Sequence, residues 1–205
     1  ANWNGAAVDP DTGFLYVAST TQPIIPALVE LGPDRSNLRY TRGRMRPPAG
    51  PDGLPLFKGP YGRITAIDLN QGEIAWSVPF GEGSNLMRRH PLLQGVELPE
   101  RLGTPGATGL MVTGGGLVFI GGGDPYLYAF DAATGREVTR VSTEFRTSGN
   151  PVTYRTAAGR QFVLLATGAG PDARLVAFGL RRALRRARIR LEAVLQAAAD
   201  RGSLP

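Results

Sequence analysis

The 205-residue chain has no cysteine, which excludes disulfides and thiolate metal sites. It has no run of eighteen apolar residues, so no transmembrane helix is written in it. Its 28 glycines and 17 prolines make up about a fifth of the residues, below the level of a disordered composition and suited to a turn-rich all-β protein. The net charge of +6 is uneven: Arg181, Arg182, Arg185, Arg186, Arg188, Arg190 and Arg201 oppose only Glu192 and Asp200 in the last 25 residues. The body is therefore nearly neutral, and no nucleic-acid footprint is indicated.

In chain order, ANWNG opens the sequence with no Met, basic region or apolar leader, which predicts the interior of a longer protein. FLYVAS (14–19) is the first strand-like run. The segment 33–53 follows, with five arginines among prolines and glycines; it reads as a flexible loop, its basic residues suited to an acidic partner or to lipid head groups. ITAIDL (64–69) and EIAWSVPF (73–80) come next, and then the stretch 84–106, an insertion between repeats. It holds the only histidine, His90, with no second metal-ligand type nearby, so His90 reads as a loop residue.

LMVT (110–113), LVFIGG (117–122), YLYAFD (126–131), REVTRVS (136–142), NPVTYRT (150–156), QFVLLATG (161–168) and RLVAFGL (174–180) complete the strands. Aromatic and β-branched residues fill these runs, and turn residues separate them. Glycines flank the strand in GGGLVFIGGG (114–123) and do not open a helix, which argues against a dinucleotide fingerprint. From Leu184 to Ala198, apolar residues recur at helical spacing and Gly202 provides a stop, so residues 181–205 are predicted to form an Arg-rich amphipathic helix. That helix either packs on the body or meets a membrane or partner.

The phrase AIDLNQGEIAW (66–76) returns as AFDAATGREVT (129–139), with Ala, Asp and Gly in register. A strand ending in Ala-x-Asp feeds a turn that needs Gly for positive φ, and the next strand leaves with a residue placed to pack between repeats: Trp76 in the first copy, Thr139 in the second. The strands LVFIG and FVLLA start 45 residues apart, the period of a four-stranded propeller blade. The fold class is all-β, a partial β-propeller of about three four-stranded blades over residues 1–180, followed by the helical tail 181–205. The loss of the aromatic at Thr139 predicts thinner packing at the second junction.

Four segments in this order, ANWNGAAVDPDTGFLYVAS, GPYGRITAIDLNQGEIAWSVPFG, GLMVTGGGLVFIGGGDPYLYAFDAATGRE and GNPVTYRTAAGRQFVLLATGAG, resemble the C-terminal third of the pyrroloquinoline quinone (PQQ)-dependent dehydrogenases, most closely the glucose-dehydrogenase-like branch. The resemblance implies an eight-bladed propeller holding PQQ and Ca²⁺ on its axis. It also implies oxidation of a sugar or alcohol by hydride transfer to the quinone, with electrons passed to ubiquinone or a cytochrome. A periplasmic location follows from it, with membrane association through a segment upstream of residue 1.

Carried over residue by residue, Asn2 and Trp3 match the family's Asn-Trp pair near the cofactor, where an amide can hydrogen-bond quinone oxygens and an indole offers a flat wall. The methanol-type branch has a cofactor-face Trp where this chain has Ala107-Thr108, which leaves Thr108 and Gly109 as the residues approaching PQQ. The family's catalytic Asp and Ca²⁺ ligands have no counterpart here, so none of Asp9, Asp11, Asp124 and Asp131 is assigned as a base, and the chain alone is expected to be inactive. Two other readings stay open: a cofactor-free propeller acting as a scaffold, and a truncated gene product.

Overall fold

The computed structural model describes residues 4–106 and 109–179, and its main elements are three antiparallel sheets. Strands β1 (Ala6–Asp9), β2 (Phe14–Thr20), β5 (Gly62–Asp68) and β6 (Glu73–Pro79) form the first blade, in that order. Strands β7 (Leu110–Thr113), β8 (Leu117–Gly121), β9 (Tyr126–Asp131) and β10 (Glu137–Ser142) form the second. The third has three strands among the described residues: β11 (Thr147–Arg155), β12 (Gln161–Thr167) and β13 (Arg174–Gly179). The expectation of a fourth strand there, like the tail helix of 181–205, lies outside what is described. In each blade, consecutive strands of the meander pair in register, as short turns dictate.

The blades share an axis. The first strands β1, β7 and β11 lie beside one another, while the last strands are outermost. The burial patterns follow from this arrangement. β5 buries alternate residues Gly62, Ile64 and Ala66, as expected of a sheet covered mainly on one face. β9 buries Leu127, Tyr128, Ala129 and Phe130 in succession because the second blade is sandwiched by a neighbour on each side. The main core lies between blades one and two: Tyr16, Ile64, Ala66 and Phe80 meet Val118, Ile120, Tyr128 and Phe130, all at most 2% exposed. Each large side chain of this kind stabilises the fold by about 1.5–3 kcal/mol.

The repeated phrase forms the same device twice. Gly72 and Gly135 both adopt left-handed backbone, φ 74° and 71°, and each donates its N–H to the carbonyl of the Asp that opens the turn. The Asp carboxylates cap the turns by accepting from the N–H of Asn70 and of Thr134. Both hairpins carry a register shift at the same place, after Glu137 in one copy and after Ile74 in the other. Trp76 leaves the first hairpin and docks on the turn of the second. Its Nε1–H donates to the Ala132 carbonyl at 3.0 Å, and a Cβ on Gly135 would stand 2.6 Å from the ring. The inter-blade role expected of Trp76 is thus present. The residues that Thr139 would face come after β13 and fall outside the described residues.

Two long connections interrupt the blades. Residues 21–61 separate β2 from β5, and 80–109 separate β6 from β7. The second contains the insertion expected at 84–106, with a helical turn α1 (Asn85–Arg88) and a 3-10 turn at Pro91–Leu93. The first corrects the reading of 33–53 as an unstructured loop, because β3 (Leu28–Glu30) pairs with β4 (Tyr40–Arg42) and a 3-10 turn spans Pro51–Gly53. The arginine and proline content hid a three-residue strand too short to carry a period. His90 joins the two connections: buried, its Nε2 lies 3.0 Å from the Asp52 carbonyl and its Nδ1 accepts from the Leu92 N–H. It is a loop residue that holds two loops together.

Candidate functional site

In an antiparallel meander, the connections into the first strand and between the second and third strands share one end of the blade; the two tight turns occupy the other. Both long connections and the starts of β1, β7 and β11 therefore lie at the same end, around the axis. Of the residues expected to meet a cofactor, Gly109 lies at this end.

Asn2, Trp3 and Thr108 lie outside the described residues; Gly109 is described and buried at the start of β7. The Asn150 carboxamide, from β11, sits where a side chain on Gly109 would be, so any larger residue at 109 displaces it. Asn150 Nδ2 donates to the Asn4 carbonyl just before β1, at 3.0 Å. One side chain thus ties together the starts of all three inner strands, and a carboxamide carries a second N–H and a carbonyl oxygen for a ligand. Asn150 is the site residue that sequence reasoning read only as the start of a strand. The Gly149-Asn150-Pro151 stretch was its only signal, since Pro breaks a strand interior and the Asn before it is polar on an inward course.

A polar network braces this end. Asp124, in the β8–β9 connection, accepts through Oδ2 from Tyr128 Oη at 2.7 Å and from Thr104 Oγ1 at 3.4 Å. Glu82 binds Arg140 at 2.6 Å. Burial, and then the hydrogen bond to Asp124, push the Tyr128 hydroxyl well above the usual tyrosine range, so it stays a neutral donor. The main chain continues the brace into blade three: Gly123 N–H donates to Thr147 Oγ1, and Thr147 N–H to the Asp124 carbonyl. Gly121 and Gly122 leave room for Thr147 and for the Asp124 carboxylate, which explains the glycine run as a packing feature at a strand end. Asp124 is therefore structural, while Asp9 and Asp131 lie at the tight turns, at the opposite end from the inner-strand starts.

The Asn150 carboxamide beside the close-approach Gly109 fits a ligand rich in carbonyl and carboxylate oxygens such as PQQ. Among the described residues no group of three or more His, Cys, Asp or Glu could hold a metal ion.

The family model for the glucose/ethanol/alcohol dehydrogenase β-propeller domain, PQQ, matches residues 1–163. A probable quinate dehydrogenase (quinone) from Xanthomonas campestris pv. juglandis is 40% identical over 118 residues, covering 57% of this chain and 15% of the relative. The glycerol dehydrogenase large subunit of Gluconobacter thailandicus is 31% identical over 195 residues, covering 82% of this chain and 26% of the relative. Among solved structures, the quinohemoprotein alcohol dehydrogenase of Comamonas testosteroni superposes with a TM-score of 0.53 at 25% identity, over 82% of this chain and 22% of that one. A europium-containing methanol dehydrogenase shares the fold with a TM-score of 0.55 at 23% identity, over 80% of this chain and 24% of that one. The chain thus spans about a quarter or less of the length of these relatives. With the match running from residue 1 to 163 and through all three inner-strand starts, the chain belongs to the PQQ family of glucose/ethanol/alcohol dehydrogenase β-propeller domains.

Proposed function

We propose that these blades are part of a PQQ-dependent dehydrogenase that oxidises a sugar or alcohol and passes the electrons to a quinone or a cytochrome in the periplasm. The observation that carries this reading is the convergence of Asn4, Gly109 and Asn150 at one end of the axis. Bound there, PQQ supplies the hydride acceptor and Ca²⁺ a Lewis acid. The part played by this chain is to bind and orient. The Asn150 amide donates to cofactor oxygens and Gly109 lets the inner strands close on it; Asn2, Trp3 and Thr108 are assigned to the cofactor through the family resemblance. The base that takes the substrate proton and the metal ligands are assigned to sequence outside this chain. Cyclic and linear polyols stand first as substrates, on the similarity to the quinate and glycerol enzymes.

The test reconstitutes the protein, with its natural flanking sequence, with PQQ and Ca²⁺ and follows dye reduction with quinate, glycerol, glucose and ethanol. Turnover of at least one of them is expected. A protein that binds no PQQ overturns the reading and leaves a cofactor-free scaffold propeller.

A further inference from the structure

The long β2–β5 connection carries an unusual surface. Ile24, Ile25, Leu28, Leu56 and Phe57 are each at least half exposed, and Leu86 of the neighbouring helical turn is 70% exposed. Leu56, Phe57 and Leu86 share the lining of one shallow groove with Pro23, Pro47 and Pro55, with room of about 380 Å³. Contiguous exposed apolar surface of this kind marks a contact site and not a solvated loop.

The connection carries a net positive charge. Residues 21–61 hold Arg35, Arg39, Arg42, Arg44, Arg46 and Lys58 against Glu30, Asp34 and Asp52. Arg39 is occupied by Glu30 at 2.9 Å. Arg42, Arg44, Arg46 and Lys58 are exposed and make no ion pair among the described residues. Exposed apolar side chains and exposed, unpaired cations on one connection complement a surface that is negative outside and apolar beneath, which is the makeup of an anionic lipid leaflet.

We propose that the β2–β5 connection is a membrane-docking surface, in which Phe57, Leu56 and Leu86 enter the head-group region and Arg42, Arg44, Arg46 and Lys58 meet lipid phosphates. The surface is independent of the cofactor: a protein that binds no PQQ still carries it. An anchor elsewhere in the protein would hold it to a membrane without regard to lipid charge, so the test reads charge dependence and depth at this surface.

The protein, with its natural flanking sequence, is mixed with phosphatidylcholine vesicles with and without phosphatidylglycerol. In a Phe57→Trp variant, quenching of the new indole by brominated acyl chains is expected with phosphatidylglycerol present and lost in high salt. Charge reversal by Arg42→Glu, Arg44→Glu and Arg46→Glu together is expected to lower the partition into anionic vesicles about a hundredfold. Leu175→Asp, which removes an equally exposed apolar residue on blade three, is expected to leave it unchanged. Circular dichroism on each variant separates misfolding from lost docking. Absence of quenching at position 57, or charge-reversed protein that partitions like the unchanged protein, overturns the proposal. So does binding to a soluble acidic protein in preference to the vesicles.

Discussion

The two blade junctions are built on different principles. Between blades one and two the strands pack through apolar side chains: Trp76 lies over Gly135, tilts against Tyr16 at a centroid distance of 5.8 Å, and adjoins the main core. Tyr16 Oη and Trp76 Nε1 both donate to the same Ala132 carbonyl, so one turn of blade two anchors two aromatic rings of blade one. Between blades two and three the position of Trp76 is taken by Thr139, and the described contacts are polar: Asp124, Thr147 and Arg146 Nε, which donates to the Gly123 carbonyl at 2.6 Å. Blade three adds Thr147, Leu165 and Thr167 to the buried set but no residue to the main core. Polar loop contacts brace both junctions, since Glu82 binds Arg140 and Thr104 donates to Asp124 at the first; among the described residues only the first adds an aromatic docked on a glycine turn.

This contrast can be broken at defined points. The largest effect is expected from Trp76→Ala, which removes the ring and one hydrogen bond and should cost about 3 kcal/mol by urea unfolding. Gly135→Ala follows, at about 2 kcal/mol, because it strains a left-handed residue and drives a methyl into the Trp76 ring. Gly72→Ala is its control: the φ is nearly the same but nothing lies within 4 Å, so only the backbone cost of about 1 kcal/mol should remain. An equal loss for the two glycines would show that the docking contributes little.

In the polar network around Asp124, Tyr128→Phe should cost about 1 kcal/mol, since it leaves Asp124 Oδ2 short of its nearest donor. It should also change the alkaline response. The fold holds the Tyr128 hydroxyl neutral, so its contribution is fully present below the ordinary tyrosine pKa of about 10. That contribution is lost as the unfolded state ionises above it. Urea midpoints between pH 8 and 11 should fall less steeply in Tyr128→Phe than in the unchanged protein.

The blades were largely legible in the sequence because hairpin chemistry is local. Asp68-to-Gly72 and Asp131-to-Gly135 prescribe their turns, and strands such as β5 and β12 announce themselves by β-branched and aromatic content. β1 (Ala6–Asp9) and the β3–β4 hairpin escaped notice: three or four residues rich in Ala or Arg give no usable period. The site was half legible. Gly109 was named through the resemblance, while the packing that requires a glycine there, against the Asn150 carboxamide 41 positions later, is a contact between inner strands of different blades that no local pattern can carry. The role of His90 across 38 residues escaped for the same reason.

The central claim is that PQQ sits at the inner-strand starts of these blades. Fluorescence titration of PQQ, with Ca²⁺ present, into the protein with its natural flanking sequence and into its Gly109→Leu variant tests it most directly. Stoichiometric binding that weakens at least tenfold in the variant, which must expel the Asn150 side chain, is the predicted result; equal affinity in both proteins would contradict it.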